Sequence, residues 1–159
     1  KNTYNYKGDN VKVKDLIKAI IIPLGLGFLT SLLIKTNLYD NIIKPTLSPA
    51  KIVFPIVWTI LYILLGVSNY LINKNGKKEV PNLIYYIGLG INLIWPFIFF
   101  NAKEYLIALI WLVILILFVI LMMIEYFKID KKAFYLQIPY ILWLLFAFYL
   151  NYQVFILNR

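Results

Sequence analysis

The sequence has no cysteine and no histidine. Their absence excludes disulfides, thiol nucleophiles, Ser-His-Asp and Cys-His catalysis, zinc sites with nitrogen and sulfur ligands, and the usual axial ligands of haem iron. Charge is scarce as well: only 14% of the 159 residues are Asp, Glu, Lys or Arg, where soluble chains carry roughly 25%. What fills the chain instead is apolar, 62% of it, with 18% aromatic residues and a mean hydropathy of +0.80. So much apolar surface needs lipid as its solvent, which marks an integral membrane protein. The net charge of +9 would suggest a nucleic-acid partner in a polar chain. Here the charges sit between apolar runs, so they read as topology signals and anionic-headgroup contacts, with no nucleic acid.

The charge clusters leave five runs free of Asp, Glu, Lys and Arg except near their ends, at residues 16–36, 52–72, 83–100, 105–127 and 134–157. Each is predicted to be a helix, because an open sheet edge cannot be satisfied in hydrocarbon. At about 1.5 Å per residue all approach the ~30 Å of a bilayer core. Lys18 and Lys35 lie near the ends of the first run, where long stems can snorkel to the headgroups. A cleaved signal peptide fits poorly, since a long basic segment precedes this run and no small-residue cleavage site follows it. The loops are short apart from residues 37–51. The expectation is an all-α membrane protein, one five-transmembrane-helix bundle over residues 16–159 preceded by a basic tail over 1–15. No internal repeat is visible, and an odd helix count argues against inverted-repeat transporters.

Positive residues orient the bundle. Eleven fall on the N-terminal side (Lys1, Lys7, Lys12, Lys14, Lys18, Lys74, Lys77, Lys78, Lys128, Lys131 and Lys132) and five on the other (Lys35, Lys44, Lys51, Lys103 and Arg159). The N-terminus is therefore expected in the cytoplasm, and the C-terminus and long first loop outside. Abundant Lys, Ile and Asn with a single Arg suggest an AT-rich bacterial genome, hence a bacterial cytoplasmic membrane.

Polar and aromatic residues fall in phase on three spans. Trp58, Tyr62 and Gly66 are spaced i, i+4, i+8 on the second. Asn92, Trp95 and Phe99 follow i, i+3, i+7 on the third, beside Pro96. Tyr140, Trp143, Ala147 and Asn151 make the fifth-span stripe, after Pro139. Each set marks one helix face. Aromatic residues near helix ends are more often interfacial belts, the preferred reading for Trp58, Trp111 and most tyrosines. Asn92 and Asn151, taken singly, read as interhelical glue. If the stripes converge, small residues between the rings (Gly66, Ala147) leave a slot suited to a flat apolar ligand.

No catalytic constellation is visible. Glu104, Glu125 and Asp130 are scattered loop charges, and the turn Asn75-Gly76-Lys77 lacks the rest of a phosphate loop. No metal site or required cofactor is expected. Residues 121–128 and 67–74 fit the loose cholesterol pattern, which is weak by construction.

Three separated motifs are more specific. Lys44-Pro45-Thr46-Leu47-Ser48-Pro49 is followed by Pro55-Ile56-Val57-Trp58-Thr59-Ile60-Leu61-Tyr62, with Gly66 and Tyr70. Then come Asn92-Leu93-Ile94-Trp95-Pro96-Phe97-Ile98-Phe99-Phe100 and Pro139-Tyr140-Ile141-Leu142-Trp143-Leu144-Leu145-Phe146-Ala147, with Leu150-Asn151-Tyr152 and Leu157-Asn158. In order and spacing they resemble the TspO/MBR family, the translocator or peripheral-type benzodiazepine receptor proteins, from about Leu16 to Asn158. The resemblance implies a five-helix bundle, commonly a homodimer, whose pocket opens toward the long first loop. It also implies a receptor or carrier for porphyrins such as protoporphyrin IX and haem, and for sterols and benzodiazepine-type ligands, acting in tetrapyrrole regulation, transport or stress response. Two alternatives stay open: a light-dependent porphyrin-degrading enzyme, and a structural or regulatory membrane partner with a vestigial pocket. Carried over residue by residue, the implied ligand-binding positions are Ala50 in the loop lid, then Tyr62, Asn92, Trp95, Phe99, Trp143, Phe146, Ala147 and Leu150.

The chain also departs from that pattern. Leu47 and Ile52 stand where the family usually has tryptophans around a Pro-Pro pair, which here is Pro49-Ala50. Ile107 replaces a ring early in the fourth helix. Arg159 lies one position beyond the reach of the C-terminal cholesterol pattern that begins at Leu150 and Tyr152.

Overall fold

The structure, a computed structural model, describes residues 6–35 and 42–159. Its elements in chain order are α1 (Tyr6–Leu33), α2 (Val53–Asn73), α3 (Glu79–Pro96), one π-helical turn (Phe97–Asn101), α4 (Tyr105–Ile129), a short α5 (Lys131–Tyr135) and α6 (Ile138–Leu157). Among the described residues there is no strand. Among the described residues, five segments are long and apolar enough to cross a membrane: Lys12–Leu33, Val53–Asn73, Glu79–Asn101, Tyr105–Ile129 and Lys131–Leu157. The chain is thus an all-α, five-helix membrane-spanning bundle, as the hydropathy pattern requires.

Three departures from the sequence reading shape the bundle. α1 begins at Tyr6, ahead of the apolar run, and continues through Pro23 without a break. The fifth span is two helices. Pro139 has no N–H to return to the preceding turn, so α5 closes with Leu136 N–H bonded to the carbonyls of Lys132 and Phe134, and α6 restarts with the proline in its first turn. α3 ends at Pro96 for the same reason. The chain continues in a wider turn in which Ala102 N–H reaches the Phe97 carbonyl at 2.9 Å. Residues 1–5 of the expected basic tail, and residues 36–41 of the first loop, lie outside the described residues.

Around the bundle α1 packs on α2, α2 on α5, α4 on α5 and α6, α3 on α4, and α3 returns to α1. α4 is the spine. Its buried residues Ala108, Leu112, Leu115, Val119, Met122 and Tyr126 alternate steps of four and three, the seam spacing that keeps one face on its partners. α1 is peripheral, with only 6% of its spanning window buried. It approaches α2 closely at Gly66, where a Cβ would sit 2.5 Å from the Ala19 carbonyl oxygen and 2.6 Å from Ile20 Cα. This is the small-residue contact that lets membrane helices pack backbone to backbone.

The two ends of the bundle are tied differently. At the end carrying Lys74 and Lys128, Asp130 caps α5 by accepting from Lys132 N–H at 2.8 Å, and takes a 3.0 Å ion pair from Lys74. The Lys74 hydrogen bond holds the Asp130 carboxyl below the usual carboxylate range, with the Lys132 backbone N–H and the Lys74 charge adding to the effect against some desolvation. Just inside, Asn69, Asn73 and Asn82 bond one another across α2 and α3 at 2.7–3.0 Å. Gln137 reaches Ser68 at 2.5 Å. At the other end, Asn101 accepts from Lys35 N–H at 2.8 Å and donates to the Leu33 carbonyl at 3.2 Å, closing α1. Asn158 grips Ile43 through both its N–H (2.9 Å) and its carbonyl (3.0 Å), fastening the returning first loop to the end of α6.

Candidate functional site

The half of the bundle nearer the Asn101 and Asn158 clips contains a cavity of about 550 Å³. That volume lies in the range of small-molecule pockets. α1 contributes Gly27, Thr30, Ser31 and Ile34. α2 contributes Phe54, Pro55, Trp58 and Tyr62. The third span contributes Asn92, Trp95, Pro96, Phe99 and Phe100, and α6 contributes Trp143, Ala147, Leu150, Asn151 and Val154. Lys51 stands in the lining just ahead of α2. α4 supplies no lining residue, consistent with its role as a packed spine.

Amides orient the cavity's polar side chains. Tyr62 donates its hydroxyl hydrogen to Asn92 Oδ1 at 2.7 Å, and Asn92 Nδ2 donates to the Tyr140 hydroxyl at 2.9 Å. One buried amide thereby joins α2, α3 and α6. Asn151 does the same a few turns along: it accepts from Trp95 Nε1 at 3.2 Å and donates to the Tyr105 carbonyl at 2.9 Å. Both asparagines act as the interhelical glue expected of them, and both also face the cavity. With each amide held from two sides, its dipole is fixed before any ligand arrives.

Rings form the walls. Trp58 lies tilted on Tyr62 at 5.5 Å between centroids and edge-on to Tyr140 at 6.4 Å. Trp95 stacks on Phe99 at 5.1 Å, and Phe100 meets Trp95 edge-on at 6.2 Å. The π-helical turn is what lets both Phe99 and Phe100 join the wall, since its widened pitch keeps consecutive rings on the cavity side. Phe54 meets Trp143 edge-on at 6.0 Å from across the α2–α6 seam.

Seven of the nine residues singled out from sequence line this cavity: Tyr62, Asn92, Trp95, Phe99, Trp143, Ala147 and Leu150. Phe146 lies instead on an outer groove between α2 and α6, because the inward face of α6 runs 143, 147, 150, 154 and position 146 is rotated off it. Ala50 is exposed in the turn before α2, where its carbonyl accepts from Val53 N–H at 2.9 Å, and its neighbour Lys51 is the one that lines the cavity. Gly66 leaves no slot, because the α1 backbone occupies the space beside it. Trp58 belongs to the cavity wall, although belt tryptophans are commoner. The α1 face was missed for want of rings; its signal was the spacing 27, 30, 31, 34, one helix face of small and aliphatic residues.

Among the described residues, no three of His, Cys, Asp and Glu come together as a metal site would require. The cavity's chemistry is that of shape, ring faces and a few fixed hydrogen-bonding tips.

Comparison with known proteins agrees with this architecture. The TspO/MBR family pattern matches residues 19–157. The chain is 32% identical to the tryptophan-rich protein TspO of Chlorobaculum tepidum over 156 residues, covering 94% of this chain and 99% of the relative. It is 31% identical to the tryptophan-rich sensory protein of Cereibacter sphaeroides, with 90% and 91% covered. The human translocator protein is 32% identical over 121 residues, with 73% and 72% covered.

Proposed function

The chain belongs to the TspO/MBR family, and from that premise we propose that it is a membrane receptor or carrier that holds porphyrins, protoporphyrin IX or haem, and similar flat apolar molecules inside the bundle. Family membership gives the general role, a ligand-binding or regulatory membrane protein. The observation that carries the finer reading is the ring-lined cavity of about 550 Å³, walled by Trp58, Trp95, Phe99 and Trp143 around the Tyr62–Asn92–Tyr140 chain. Tyr62, Asn92, Trp95, Phe99, Trp143, Ala147 and Leu150 are the contact residues, Ala147 giving a ring room to slide between Trp143 and Leu150. Lys51 supplies a positive charge where a ligand's carboxylates would emerge. Ala50 belongs to the covering loop, and Phe146 supports Trp143 from behind at 5.5 Å. With no His or Cys in the chain, a metalloporphyrin is held by stacking and shape.

The same reading assigns the bundle domain to residues 16–159, places the N-terminus in the cytoplasm and the C-terminus outside a bacterial cytoplasmic membrane, and makes a homodimer the working unit. An open cavity favours ligand holding over a partner whose pocket has closed. Purified protein is expected to show saturable quenching of tryptophan fluorescence by protoporphyrin IX, weakened by Trp143→Phe and by Ala147→Phe, which fills the slot. Quenching that never saturates, or that both variants leave unchanged, refutes the proposal.

A further inference from the structure

Outside the cavity, the bundle carries a second hollow of about 310 Å³ between Ile60 and Leu61 of α2 and Leu142 and Phe146 of α6, with Trp143 at its back. Ile60 and Leu142 are 52% and 60% exposed, on spanning helices where hydrocarbon is the only solvent. Trp143 lines both this groove and the cavity, so one indole stands between bilayer and interior.

The seam here is closed by side chains. α2 packs against α5 at the other end of the bundle. Alongside α6 it is joined through rings, Phe54 to Trp143 and Trp58 to Tyr140. The Trp143 indole is not latched. Its Nε1 is buried with no hydrogen-bond partner among the described residues, whereas Trp95 Nε1 donates to Asn151 and Trp111 Nε1 to the Ile91 carbonyl at 2.8 Å. A change of rotamer at Trp143 breaks ring contacts and no hydrogen bond, and Ala147 one turn on leaves space beside it.

We propose that the α2–α6 seam is the passage between bilayer and cavity for apolar ligands, with Trp143 as its swinging partition. The inference rests on the ligand-holding reading of the cavity. A flat apolar molecule resides in the lipid, and a lateral path never returns its faces to water. The opposite route runs past Lys51 and a first loop fastened by Asn158.

The absence of native cysteine makes the test clean. Ile60→Cys and Leu142→Cys place two thiols across the groove at positions outside the cavity lining, to be bridged by a cleavable bis-maleimide. Protoporphyrin IX preloaded into vesicles is followed by tryptophan quenching in the same variant before bridging, after bridging and after cleavage. Bridging should slow association by about tenfold or more, as expected when a required opening is blocked, with the final amplitude unchanged and the rate restored on cleavage. A second pair, Ile43→Cys with Asn158→Cys, bridges the loop and should leave the rate as it was. An unchanged rate with the seam bridged, or slowing only with the loop bridged, overturns the route. Quenching that fails to saturate before any bridge is made refutes the ligand reading itself, and the route with it, so the two failures are told apart.

Discussion

Replacing Asn92 with Leu tests whether the cavity's polar chain is held by one amide. Asn92 is 3% exposed and makes two hydrogen bonds, one to each phenol. Each is worth about 0.5–1.5 kcal/mol net in water-soluble proteins, and comparable bonds inside membrane bundles average about 0.6 kcal/mol. The larger part of the cost is what remains: Tyr140, a residue 3% exposed, loses Asn92 as donor to its hydroxyl, and a buried polar group left unsatisfied costs about 1–3 kcal/mol. With the two lost bonds added, Asn92→Leu is expected to lose about 2–4 kcal/mol in equilibrium unfolding by SDS in mixed micelles, followed by tryptophan fluorescence. The sharper expectation is a reversal of sign. Tyr140→Phe should destabilise the otherwise native protein, since it deprives Asn92 of an acceptor. In the Asn92→Leu background it should stabilise, because it removes the stranded hydroxyl. Costs that simply add would refute the account.

Gly66→Val drives its side chain into the α1 backbone at Ala19 and Ile20; a loss of about 1–3 kcal/mol is expected from overpacking, and, on the proposed ligand-holding role, weaker quenching by protoporphyrin IX, because α1 carries one cavity wall. Gly25→Ala, where a Cβ meets nothing within 4 Å, should be neutral or slightly stabilising and serves as the control. Asp130→Asn removes the Lys74 pair. Since the native carboxyl titrates below its unfolded value, the pair's contribution is present above about pH 4 and is lost as pH falls further. The stability difference between the two proteins should be no more than about 1 kcal/mol at neutral pH, the pair being partly exposed, and should close in acid. Asn158→Ala releases Ile43, and hydrogen exchange at the Ile43 amide should quicken by about tenfold, as follows from about 1.4 kcal/mol of lost local protection; an unchanged rate would mean the loop is held elsewhere.

The spans were legible because lipid imposes one rule on every residue they contain: runs without charge, of sufficient length, become helices. Most of the site was legible because rings and amides at helical spacing are conspicuous on Leu- and Ile-rich helices, as with Asn92, Trp95 and Phe99. Thr30 and Ser31 were not, since small hydroxyl residues on a span serve packing as readily as a cavity. Phe146 misled because it lies beside Ala147 in sequence, while a single residue step on a helix turns about 100°. Gly66 misled because a gap in a side-chain stripe can be filled by a neighbouring backbone. The break at Gln137 is foreshadowed by Pro139, yet which neighbours take up the broken helix ends depends on distances between helices that no local pattern encodes.

The wide turn at Phe97–Asn101 makes the cavity depend on residue count as well as residue type. It feeds Phe99 and Phe100 into one wall and then delivers Asn101 to the last carbonyl of α1. Deleting one residue between Pro96 and Ala102 would tighten the turn toward ordinary helical pitch and swing everything after it by about 100°. A ring would leave the wall and the amide would leave α1, with composition and hydropathy barely altered. The spare residue works as a shim: it fixes the alignment of the peripheral first helix against the third, and so the width of the space between them.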